Sequence, residues 1–149
     1  MAYCTLDDIK EQIPESELIQ LTDDEDLGIV DASITDRAIA DADAEINSYC
    51  AERYTVPFDP VPDIIRKRSV DIAIYNLFSR RQIYNENRSS RHKDDIRFLE
   101  RVSSGSVSLG PNAPAETSQD TVGVSTVKTD RIFSTGRTSD SSAGSLDNY

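Results

Sequence analysis

The chain has 149 residues, two cysteines and a formal net charge of −11. That length fits one domain with a modest core, and an apolar share of 37% is low enough that part of the chain is expected to stand outside it. The acidic balance argues against a protein that coats nucleic acid through its phosphates, and two cysteines outside any CxxC pair exclude a dense disulfide framework.

The opening Met1 to Asp8 lacks both a basic region and an apolar run, so no signal peptide is expected there. No stretch approaches the roughly 18 apolar residues of a membrane span. The first helix is expected over residues 5–13. Thr5 can cap it, Asp8 completes a loose capping box, and Leu6, Ile9 and Ile13 share one face before Pro14 ends it. A second short helix fits residues 15–21. Thr22 to Asp31 then holds five acids, whose mutual repulsion favours a solvated loop. Its Gly28 and Asp31 do not reproduce the ligand spacing of a calcium loop.

Thr35 is a good N-cap, so the next helix is expected from Asp36 to about Tyr54. Ile39, Ile46, Cys50 and Tyr54 form its stripe, with Ala42 and Tyr49 beside it. Pro57, Pro60 and Pro62 forbid helix across the following connection. From Asp63 to about Gln82 runs a helix apolar around much of its circumference, which should be central or buried against another subunit. Its ends are basic. Arg80 and Arg81 suit the negative end of the helix dipole. Arg66, Lys67 and Arg68 do not suit theirs, and face either a carboxylate-rich surface or solvent. Residues 83–89 read as a polar turn. Ser90 can cap a last helix from Arg91 to about Val102, with Ile96, Leu99 and Val102 on its apolar face. Asp94, Asp95, Arg97, Glu100 and Arg101 fall off that face and can pair at helical spacing.

After Ser103 the texture turns to Ser, Thr, Gly and Asp. Val122, Val124 and Val127 sit in a β-prone stretch, and Ile132-Phe133 form an isolated apolar pair. A tail of this kind, running to Tyr149, cannot build its own core but can order on a neighbour by adding a strand or laying anchors into grooves. The expected architecture is therefore mainly α. A small helical bundle spans residues 1–102. An extended or disordered C-terminal assembly arm, able to form β-strands on assembly, spans residues 103–149.

Charge is distributed unevenly. Residues 1–60 carry sixteen acids against three bases, residues 61–102 six against ten, and residues 103–149 five against three. Unlike halves suit subunits that meet through unlike faces, and also suit a solvated acidic face. Little in the sequence speaks for chemistry. His92, between Arg91 and Lys93, is expected in solvent, and one histidine with two distant thiols makes no zinc site. Cys50 is expected as a small core residue. There is no phosphate-binding loop, dinucleotide loop or nucleophile elbow. The expectation is a non-enzymatic protein without cofactor or metal.

Several segments resemble the phage Mu-type head–tail connector (adaptor) family. They are Ala2-Tyr3-Cys4-Thr5-Leu6-Asp7-Asp8-Ile9, then Ile46 through Tyr54 running into Thr55-Val56-Pro57-Phe58, then Pro62-Asp63-Ile64-Ile65, and Leu77-Phe78-Ser79-Arg80-Arg81 closing the apolar helix. The resemblance covers roughly residues 2–102 and continues loosely through Arg131-Ile132-Phe133. It implies a virion structural protein made in the host bacterial cytoplasm and placed at the head–tail junction. It implies a homo-oligomeric ring of about a dozen copies, closed by head-to-tail contacts. The portal protein and a tail-side neck or terminator protein would be its partners, with no membrane involved. Genomic DNA would pass through the lumen without sequence-specific binding. Arg66, Lys67, Arg68, Arg80, Arg81, Ile132, Phe133 and Tyr149 are then the expected contacts to neighbouring subunits or the portal. The alternative is a helical DNA-binding or packaging-regulatory phage protein using the bases between Arg66 and Arg101.

Overall fold

Five helices, α1 (Leu6–Gln12), α2 (Glu15–Thr22), α3 (Ala32–Cys50), α4 (Asp63–Arg80) and α5 (Glu86–Ser103), follow in order in the computed structural model, which describes residues 2–110. The chain divides into two units, Met1–Gln119 and Asp120–Tyr149, and the described residues all lie in the first. Val122, Val124, Val127, Ile132, Phe133 and Tyr149 lie outside the described residues. The described fold is mainly α, as the periodicity requires.

Local chemistry explains most boundaries. Thr5 is extended, and its hydroxyl accepts from the Asp8 amide while the Asp8 carboxylate accepts from the Thr5 amide at 2.7 Å, the expected capping box. Pro14 opens α2. α3 begins earlier than Thr35: Asp31 is the N-cap and accepts from the Ser33 amide at 2.8 Å. Thr35 sits one turn inside, its hydroxyl donating back to the Asp31 carbonyl at 2.9 Å. Both residues can cap, but the Ala32-Ser33-Ile34 run tolerates helix, so the earlier cap wins. α3 stops at Cys50, and residues 51–54 form a turn that delivers a buried Tyr54. α5 likewise starts ahead of Ser90, with Asn85 accepting from the Arg88 amide at 3.2 Å. Its first turns carry no apolar residue, so the hydrophobic pattern could not reveal them.

The core forms where α4 packs between α3 and α5, which also touch each other; α1 and α2 lie against α3 and α4. Ile65, Ile72, Ala73 and Ile74 of α4 are all fully buried, which fulfils the expectation of a central helix. They meet Ile46 and Cys50 of α3 and Leu99 and Val102 of α5 in one cluster. The short link from α4 to α5 makes those two helices an antiparallel hairpin.

Polar groups inside this core tie segments together. The Asp43 carboxylate accepts from Ser69 Oγ at 2.9 Å and from the Tyr3 amide at 3.1 Å. The Tyr3 hydroxyl donates to Asn47 and accepts from the Phe58 amide at 3.1 Å. One tyrosine thus fastens the N-terminal segment to α3 and to the proline-rich connection. Burial raises the Asp43 carboxyl above its ordinary range, against the pull of Ser69 and Tyr3.

The body does not stop at residue 102. The Val107 amide donates to the Arg101 carbonyl at 3.1 Å, the Leu109 amide donates to the Tyr54 hydroxyl at 3.2 Å, and Leu109 is buried in the same core. Gly105 makes this return possible. Its φ is +78°, and a Cβ there would stand 1.6 Å from an Arg53 guanidinium nitrogen. No helix of the described residues is long and apolar enough to cross a membrane.

Candidate interaction surface

The most exposed large apolar side chains among the described residues are Leu27, Ile29, Ile83 and Tyr84, and all belong to two loops. Single exposed apolar residues are ordinary on a protein surface; four gathered in two loops call for a cause.

The first loop, residues 23–31, is held by charge and backbone. Arg80, at the end of α4, grips Asp24 with both guanidinium nitrogens, at 2.8 and 2.9 Å, and also donates to the Leu21 carbonyl at 3.0 Å. Arg81 adds an ion pair to Asp24 at 2.9 Å and hydrogen bonds to the Leu21 and Asp23 carbonyls. The two arginines therefore close the C-terminal end of α2 and anchor the loop at once. The hydrogen bond from Arg80 holds the Asp24 carboxyl below its ordinary range. Asp23 folds the loop from within, accepting from the amides of Glu25, Leu27 and Gly28, the last at 2.6 Å. These N–H donors, Gly28 foremost, lower the Asp23 carboxyl. The acidic string is thus only partly the solvated loop expected of it: Asp23 and Asp24 are spent on structure, while Glu25 and Asp26 stay exposed beside Leu27 and Ile29.

The second loop, residues 81–85, joins α4 to α5 and borders an open groove of about 230 Å³. Tyr75, Phe78, Ile83 and Tyr84 supply its apolar lining and Arg88 its charge. Arg88 is mostly buried, and its Nη1, 3.9 Å from the Asp71 carboxylate, is buried without a hydrogen-bond acceptor. Burial lowers its pKa from the ordinary arginine value. Arg91 shares Asp71 at 3.4 Å and is more than half exposed.

The predicted basic residues separate into two groups. Arg80 and Arg81 serve the loop just described, and Arg68 reaches Asp95 on α5 while its guanidinium lies 4.7 Å over the Phe98 ring. The carboxylate that Arg68 faces belongs to its own chain. Arg66 and Lys67 are exposed. Two expectations change on α5. Asp95 is fully buried instead of pairing along its own helix, and burial pushes its carboxyl up to about 6 although Arg68 lies against it. His92 is not in open solvent: its ring stacks on Tyr75 at 4.0 Å between centroids, and Nε2 stands 3.7 Å from a Glu45 carboxylate oxygen. Sequence spacing could not show either contact, because the partners are on other helices. Asp94 and Arg97 do pair along α5, at 3.4 Å. Lys93, Arg97 and Arg101 recur every four residues and form an exposed basic row on α5. Among the described residues no cluster of His, Cys, Asp and Glu could hold a metal ion.

Comparison with known proteins places these features in a lineage. The chain is similar to the Mu-like prophage FluMu protein gp36 of Haemophilus influenzae, 35% identical over 88 residues, which cover 59% of this chain and 61% of that protein. It is also similar to gene product J of Escherichia phage Mu, 28% identical over 111 residues, or 74% of this chain and 77% of that one. The alignment thus spans less than two thirds of the Haemophilus protein. Residues 3–127 match the family described as Bacteriophage Mu, Gp36, and the chain belongs to that family of Mu-type phage proteins.

Proposed function

We propose that the protein is a non-enzymatic head–tail connector subunit, one copy of a ring between portal and tail through which the genome passes. The observation that carries this reading is the pair of exposed apolar loops, displayed on different sides of α4 and each held by structure beneath it. A subunit in a closed ring needs two different surfaces, one for each neighbour. Membership of a Mu-type phage family and the resemblance of residues 2–102 to connector proteins support the same reading. The acidic total charge suits a passage along which DNA slides without sticking.

The test is co-sedimentation of the purified protein with tail-less, DNA-filled heads that carry their portals. The reading expects stoichiometric binding that disappears with heads lacking the portal. Absence of binding to portal-bearing heads overturns it.

One observation favours a second reading. The exposed row Lys93, Arg97 and Arg101 gives α5 a basic face that could track a phosphate backbone. A DNA-binding or packaging-regulatory role would show as duplex binding that weakens steeply with salt and with charge removal from that row.

A further inference from the structure

The two apolar loops differ in charge. Residues 23–31 border a pocket of their own and present Leu27 and Ile29, 63% and 61% exposed, as an apolar edge, the knob, with the exposed acids Glu25 and Asp26 at its rim. The α4–α5 loop borders a groove, with aromatic walls and Arg88 in its lining. Arg88 Nη1, buried and without a hydrogen-bond acceptor, lies 3.9 Å from Asp71, while Arg91, one turn further along the same helix, is exposed and supplies the accessible positive charge. An apolar knob with an acidic rim matches an apolar groove with a basic side in both hydrophobicity and charge.

A molecule cannot fill its own groove. Tyr75, Phe78 and Ser79 face the groove, whereas Asn76, Leu77 and Arg80 line a separate cleft with Asp24 of the knob loop and Arg37 and Asp41 of α3. At 3.6 residues per turn these two sets lie on nearly opposite sides of α4. A contact that joins opposite flanks leaves one knob and one groove open at each step, so it propagates from copy to copy.

We propose that the Leu27–Ile29 knob of one subunit docks into the Tyr84-bordered groove of the next copy of this chain. The inference rests on the ring reading and supplies the contact that joins its members. Leu27 and Ile29 cover the aromatic walls, and the acidic rim faces the exposed Arg91. Both loops are preorganised, the knob by Arg80, Arg81 and Asp23 and the groove by the helix ends, so little ordering cost is added on docking.

The test uses the full chain with Leu27→Cys and Tyr84→Cys together, treated with a short bismaleimide and run on a denaturing gel. The native thiols Cys4 and Cys50 are buried and do not compete. Each single-cysteine variant can give at most a dimer. The double variant is expected to give a ladder extending beyond the dimer, ending at the copy number of the ring. Light scattering of the untreated wild-type chain separates the remaining outcomes. Multimers in solution without a ladder keep the ring and overturn this contact. A product that stops at the dimer overturns the head-to-tail geometry. A chain that gives no ladder either free or bound to portal-bearing heads overturns this contact, and the ring falls with it only if the chain also fails to co-sediment with those heads.

Discussion

Asp95 shows how a single buried charge writes a pH dependence into the molecule. Its carboxyl is fully buried, paired with Arg68, and one of its oxygens and the Arg68 Nε lack hydrogen-bond partners. Burial outweighs the arginine and pushes the group up to about 6, above an unfolded value of about 3.9. Between those values the folded chain holds a proton that the unfolded chain releases. Stability from this group therefore rises as pH falls from above 6 towards 4. Urea unfolding at about pH 7.5 and about pH 5 should show that gain in the wild type and a smaller one in Asp95→Asn, with Asp43 supplying part of the remainder. An equal slope in both proteins would refute the assignment. Leu99, fully buried at the same helix junction, is a plainer case: Leu99→Ala should cost about 2–5 kcal/mol by the same measurement. The apolar identity of Leu99 was legible from helical spacing. The burial of Asp95 was not, since nothing within one turn distinguishes it from its exposed neighbour Asp94; its partner sits 27 residues away.

At the level of elements, caps and latches decide where helices begin and how loops stand. Asp31 holds the start of α3, so Asp31→Ala should lower stability by about 1 kcal/mol. Thermal unfolding checks this. The Arg80–Arg81 latch acts at longer range, from the end of α4 onto Leu21, Asp23 and Asp24. Replacing both arginines with alanine should speed amide exchange across residues 23–31 while the middle of α3 stays protected. Unchanged exchange in the loop would show that Asp23 alone holds it. Helices α1, α2 and α4 were readable because a cap or a proline coincides with the apolar pattern. The sequence places the starts of α3 and α5 too late for different reasons: at α3 two polar residues can each cap and the backbone path chooses Asp31, and at α5 the first turns carry no apolar residue to extend the pattern.

For the whole molecule, the extent of the body is the main revision. Composition changes at Ser103, and a boundary drawn there puts Leu109 outside a core that in fact contains it. Two apolar residues, Val107 and Leu109, among Ser and Gly are too sparse a signal to read as packing. Leu109→Ala should cost about 2 kcal/mol, within the usual range for a buried leucine, as measured by denaturant unfolding. Truncation after Ser103 should therefore weaken the body itself, so a deletion meant to probe an assembly arm must keep residues through Gly110. The placement of Arg66 and Lys67 in solvent and of Arg68 in an internal pair follows the same lesson: the basic run was legible, but its division between surface and core depends on the neighbouring helix.

Cys4 and Cys50 lie buried in the core, and burial holds both thiols up at about 11. At pH 8 only about one such thiol in a thousand is ionised, and the thiolate is the form that oxidises. Both sulfurs are therefore held in the form that resists oxidation, so the core should keep its two free thiols in reducing and in oxygenated solution alike.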